Sequence, residues 1–166
     1  MDTATLKRLK QLGACAEAVE FASHYDSLEA AWNACENAYW LLWYACRMGV
    51  AHKLIVRAAC ACDRTALKYL PEDEHQPRIA IETAERWCDG LATFDEVLAA
   101  YAAASTNAYY ATLADAFAAA FAIADYYVIA YNAVTSAADA TSIAGDPPQP
   151  LAQIVRDVIP FPKETN

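Results

Sequence analysis

Between residues 87 and 155 the chain has no lysine or arginine. The same stretch holds seven Asp and Glu, so most of the net charge of −9 is concentrated in it. Residues 1–86 are nearly balanced, with ten Lys and Arg against twelve Asp and Glu, and residues 156–166 balance to zero. An anionic chain repels nucleic acid, so no direct nucleic-acid partner is expected. An anionic membrane surface is an equally poor partner. The natural complement is a basic protein surface, such as the groove of a nuclease. Glycine is scarce, at 4 residues, and proline numbers 7, which argues against a turn-rich β fold. No apolar run reaches the ~18 residues of a membrane span without a polar break. Asp115, Asp125 and Asp139 interrupt the most apolar region. The first residues, MDTATLKRLKQLG, contain no apolar signal core, so a cytoplasmic protein is expected. In that compartment Cys15, Cys35, Cys46, Cys60, Cys62 and Cys88 are expected to be thiols.

What the sequence does contain is alanine, at 39 of 166 residues. Alanine is the best helix former and a poor strand former. With 57% hydrophobic and 20% charged residues, the composition is that of a folded chain. The expected fold is all-α, one helical domain over residues 1–166 with a bundle of about six to eight helices. It divides into a helical part at 1–90, Ala/Tyr-rich acidic helices at 93–143, a Pro-rich linker at 145–150 and a last helix at 151–159.

Leu6, Leu9 and Leu12 sit at helical spacing before Gly13, and a second helix is expected over residues 15–24. Asp26 or Ser27 can cap a third, which the pattern allows to run through Trp32 and Cys35 to Met48, with Gly49 as its stop. Residues 38–46 are apolar all round, which predicts a central, buried helix. Residues 52–70 are the clearest amphipathic stretch. Ile55, Ala58, Ala59, Cys62, Ala66 and Tyr69 share one face, and Lys53, Arg57, Arg64 and Lys68 gather on the other. Residues 71–77 read as a loop and 77–89 as a helix begun by Pro77. Ile79, Ala80, Ala84 and Trp87 are its expected buried face, and Arg78, Glu82, Glu85 and Asp89 its exposed one. Thr93, with Glu96 three residues on, caps the next. One helix over 93–143 would be ~75 Å long, so breaks are expected near residues 105–107 and 135–136.

Few constellations could carry chemistry. Cys60 and Cys62 are two apart, so on a helix they point ~200° apart and cannot share a metal. Cys35 and Cys46 would lie on one face of an unbroken helix, but ~16 Å apart along it. Glu20 and His24 are four apart, yet no second Glu/His pair accompanies them, and His52 and His75 stand alone. There is no Gly-rich phosphate loop, nucleophile elbow or Ser/His/Asp arrangement. The expectation is a non-enzymatic chain with no metal and no cofactor. The stripe Lys53, Arg57, Arg64 and Lys68 has two readings, a landing site for an anionic partner or one side of an internal ion network. The candidate network is Arg57, Arg64, Arg78, Glu82 and Glu85.

Several stretches resemble a known family. They are Leu12-Gly13-Ala14-Cys15 with Glu17-Ala18, Trp32, Trp40-Leu41-Leu42-Trp43, Arg57 to Cys62 continuing to Leu67, Pro77 to Glu85, Ile154-Val155-Arg156 and Ile159-Pro160-Phe161-Pro162. Together they span most of residues 9–90 and the last helix. This pattern is similar to a family of small Ala-rich bacterial and phage proteins assigned to toxin–immunity systems. The resemblance implies a protein that binds and silences a protein target, either a toxin or a nuclease-type effector. An acidic helical surface would do this by occlusion, with Glu96, Asp115, Asp125, Asp139, Tyr109, Tyr110, Tyr126 and Tyr127 as candidate contacts. Two other readings stand beside it. One is a phage counter-defence protein (anti-CRISPR-like) against a host immune complex. The other is a structural homodimer or larger homo-oligomer with the Ala/Tyr helices as its seam.

Overall fold

The computed structural model describes residues 1–104, 135, 137–139, 141–147 and 150–163. Their regular structure is all helical, with no strand among them. The helices are α1 (Thr3–Gln11), α2 (Ala16–Ser23), α3 (Leu28–Ala34), α4 (Ala38–Arg47), α5 (His52–Arg64), α6 (Gln76–Cys88), α7 (Phe94–Ala104) and α8 (Leu151–Val158). A 3-10 turn covers Leu67–Tyr69, and residues 137–139 and 141–144 are also helical. The expected all-α class is the observed one. The expected breaks near 105–107 and at Ser136 lie outside the described residues.

Two boundaries differ from the sequence pattern, each for a local reason. The stretch that the pattern allows to run unbroken to Met48 is two helices. At Cys35 the backbone turns extended, with ψ 124°, and Asn37 starts α4 afresh. The Asn37 Oδ1 accepts from the Tyr39 and Trp40 amides at 3.0 and 3.3 Å. A short polar side chain that can cap is a poor helix interior residue, and here it caps. Cys35 and Cys46 therefore sit on different elements. The second difference is α5, which stops at Arg64 instead of reaching residue 70. The Thr65 hydroxyl donates to the Cys62 carbonyl at 2.7 Å. Leu70, before Pro71, is extended at φ −84°, ψ 152°, as a residue preceding proline prefers.

The other caps follow the sequence closely. Ser27, rather than Asp26, accepts from Ala30 N at 3.0 Å. Thr93 and Glu96 form a reciprocal capping box at the start of α7. Gly49 closes α4 at φ +72°, where the Val50 amide reaches back to the Ala45 carbonyl at 3.0 Å. That left-handed position is where glycine costs least.

Two hydrophobic clusters share α5. One joins α1 to α4 with α8 and includes Trp32, Leu42, Ile55, Ala59, Cys62 and Val155. The other joins α5, α6 and α7 and includes Val56, Cys60, Ile81, Ala84, Val97 and Tyr101. At 100° per residue, Ala58, Cys62, Ile55 and Ala59 span about 100° of α5, with Val56 and Cys60 on the adjoining sector. The central helix is therefore α5. The expected one, α4, leaves Tyr39, Trp40, Trp43 and Cys46 half-exposed. On α6 the expected inward Ile79 is 44% exposed, and Ile81 is the buried isoleucine. Trp87 is half-buried there, and Glu85, expected outside, is half-buried too.

The C-terminal segment fastens the first cluster. Phe161 stacks on Tyr44, with ring centres 6.1 Å apart and planes at 11°, and meets Trp32 edge-on at 6.2 Å. Arg156 Nη1 donates to the carbonyls of Trp32 and Cys35, where α3 ends. The Trp32 carbonyl also accepts from the Cys35 amide at 3.3 Å, so the guanidinium adds a second donor there and supplies one to Cys35 at the open end of the helix.

The close approach of both clusters to α5 depends on its small residues. Ala58 is fully buried, whereas Ala61 is half-exposed. Ala58→Leu is expected to lower stability in urea denaturation by about 1–3 kcal/mol through overpacking. Ala61→Leu on the same helix is expected to change it by less than about 0.5 kcal/mol.

Candidate functional site

The basic stripe of α5 faces the acidic edge of α6. Arg64 makes a two-pronged contact with Glu85, Nε to Oε1 at 2.7 Å and Nη2 to Oε2 at 2.6 Å. Arg57 pairs with Asp89. The Lys53 ammonium lies 5.8 Å from the centre of the Trp87 ring. Lys68, beyond the end of α5, reaches Asp146 Oδ2 at 3.0 Å, and the Tyr69 hydroxyl donates to the same oxygen at 2.7 Å. Those two donors hold the Asp146 carboxyl below the usual carboxylate range. All four cations thus have partners within the chain. Exposed pairs of the Arg64–Glu85 kind stabilise by only about 0–1 kcal/mol, so their effect is mainly on charge distribution.

Of the candidate network, the structure brings Arg57, Arg64 and Glu85 into one row. Glu82 is close enough to add to the field at Arg64, but neither it nor Arg78 forms an ion pair among the described residues. Asp89 and Asp146 complete the row, and sequence reasoning did not include them. Asp89 follows Glu85 by four residues, one turn along the same face, so helical spacing could have found it. Asp146 carries no such signal, because 78 residues separate it from Lys68.

Among the candidate contacts, Glu96 and Asp139 are exposed. The Glu96 carboxylate accepts from the Thr93 amide and hydroxyl, and these bonds hold it below its ordinary range. Asp95 is exposed beside it. Asp115, Asp125, Tyr109, Tyr110, Tyr126 and Tyr127 lie outside the described residues. Tyr101, from the same Tyr-rich region, is a core residue at 6% exposure.

The thiols are placed as structural groups. Cys60 belongs to one cluster and Cys62 to the other, so they face apart. Burial raises the thiol pKa of Cys35, Cys60 and Cys88, and pushes Cys62 up to about 12. Thiols held protonated are weak nucleophiles and weak metal ligands. Cys15 alone is exposed. Among the described residues no three His, Cys, Asp or Glu side chains gather as a metal set. No described helix is long and apolar enough to cross a membrane.

One carboxyl stands apart. Asp63 projects from α5 at the seam between the two clusters, between the directions of Ala59 and Val56. It is half-buried, and desolvation pushes its pKa up to about 7. Its charge also acts on Cys60, Cys62 and Tyr101, raising the pKa of each.

No protein-family model matches the chain, and no curated protein or solved structure matches it either.

Asp63 binds its proton more tightly in the folded chain than in the unfolded one. Its contribution to stability is therefore full below the ordinary value of 3.8 and is lost as pH rises to about 7. Carboxylates such as Glu96 and Asp146 are shifted the opposite way, so the Asp63 part must be read as a difference. Stability of the native chain minus that of Asp63→Asn is expected to fall between pH 4 and 7 by at most about 4 kcal/mol. A difference that stays flat across that range would mean the carboxyl titrates normally.

Proposed function

We propose that this chain is a non-enzymatic, protein-binding inhibitor of the immunity type. It would neutralise a toxin or a nuclease-type effector by covering a basic surface with an acidic helical one. The observation that carries the reading is the internal pairing of the basic stripe. Lys53, Arg57, Arg64 and Lys68 spend their charge within the chain, on Trp87, Asp89, Glu85 and Asp146. An anionic partner for that stripe would have to displace these contacts. Asp95, Glu96 and Asp139 remain exposed in a region without any cation of its own. Their field steers a basic partner and suppresses anionic ones. The resemblance of residues 9–90 and the last helix to toxin–immunity proteins supports the same reading.

The test is capture of the tagged chain from host-cell lysate, with and without phage infection, across a salt series. One partner at near-equal stoichiometry, released as salt rises, is the expected result. The fourfold variant Glu96→Gln, Asp115→Asn, Asp125→Asn, Asp139→Asn is expected to weaken that capture by at least about tenfold. Glutamine at 96 keeps the capping box, so loss of binding is not loss of the helix start. Unchanged binding with an unchanged salt dependence would overturn the electrostatic mechanism. Recovery of the chain alone as a defined oligomer would favour self-assembly instead.

A further inference from the structure

A cleft of about 520 Å³ opens between α4 and the turn joining α1 to α2. That volume falls in the range of about 300–1,000 Å³ typical of small-molecule sites. Trp40 and Trp43, three residues apart on one side of α4, supply its aromatic wall. Ala14 and Ala18 line it as well, and their small side chains leave the space unfilled. A second, smaller apolar recess of about 60 Å³ shares these four residues and adds Phe21 and Trp32. Phe21 packs against Trp40 with ring centres 5.7 Å apart.

The polar groups are as specific as the apolar ones. Asn37 lines the cleft, and its Oδ1 is committed to the Tyr39 and Trp40 amides. That commitment fixes the side chain and leaves the Nδ2 hydrogens without a partner among the described residues. Tyr39 also lines the cleft, with its hydroxyl donating to Thr135 at 3.2 Å. None of the described lining residues carries a carboxylate, ammonium or guanidinium group. We infer that the cleft is a binding site for a neutral, planar aromatic molecule of two or three rings that carries a hydrogen-bond acceptor, such as a ring carbonyl. The indoles stack on the rings, and the Asn37 amide donates to the acceptor. This inference rests on no part of the inhibitor reading.

The experiment compares two probes on the full chain by titration calorimetry, coumarin, with its ring carbonyl, and naphthalene, of like size without one. Coumarin is expected to bind one per chain, saturably and several-fold more tightly than naphthalene. Asn37→Asp keeps the capping oxygen and removes the amide donors, so it is expected to erase the preference for coumarin. Ala18→Leu fills the cleft from α2 and is expected to lose both probes, with a circular-dichroism melt confirming the fold. Ala14→Val, in the turn, serves as the second filling variant if Ala18→Leu fails to fold. The inference is overturned if coumarin shows no saturable binding up to its solubility limit. It is equally overturned if the filling variants bind as the native chain does, or if Asn37→Asp keeps the preference. Should Ala18→Leu instead turn a self-associating chain into a monomer, the cleft is a seam between copies and the inference falls.

Discussion

Everything described here leans on one helix being narrow. α5 presents Ile55, Ala58, Ala59 and Cys62 to one cluster and Val56 and Cys60 to another. Two cores can meet on a single helix only if its side chains leave room for both neighbours. Alanine and cysteine provide that room without leaving polar atoms to satisfy. The third side of α5 is the one left for its cations, which is why they form a stripe. The stripe borders α6, whose Glu85 and Asp89 lie alongside it. Packing thus sets the electrostatics, because the buried faces dictate where the charges emerge.

The same geometry gives Asp63 its unusual setting. It lies between the sectors of the helix surface that face the two clusters, and burial there desolvates a carboxyl that only partly reaches water. The four shifted thiols have the same cause, burial among apolar groups. These groups differ from the surface acids Glu96 and Asp146. Glu96 is held ionised by the amide and hydroxyl of Thr93, and Asp146 by Tyr69 and Lys68. The chain therefore separates its acids into one kept neutral more readily by burial and several kept charged by donors. Only the second kind can act on a distant basic partner.

Much of the local structure was legible because it depends on neighbours in sequence. The Thr93–Glu96 capping box, the stop at Gly49 and the last helix are settled within a few residues. The break before α4 was missed because hydrophobic periodicity runs straight through it, while Asn37 acts through a cap. Ile79 was placed inward and Ile81 was not. The two are about 200° apart on α6, and the choice between them depends on where α5 and α7 lie. The opposed cysteines at 60 and 62 were read correctly, because two residues on a helix fix their angle. The candidate site was less legible. Helix spacing placed Glu85 on the charged face of its helix, whereas Asp146 and the cleft at Trp40 and Trp43 carried no local signal.

The sequence by itself determined the all-helical class, the segregation of acidic charge and the amphipathic face of α5. Each follows from composition or from angles along one helix, which no distant contact can alter. The tertiary structure decided that α5 and not α4 is central, that its cations have internal partners and that a cleft stays open beside Ala18. Those outcomes depend on how helices far apart in sequence pack. Packing is settled by the joint fit of many side chains, and no local pattern encodes it.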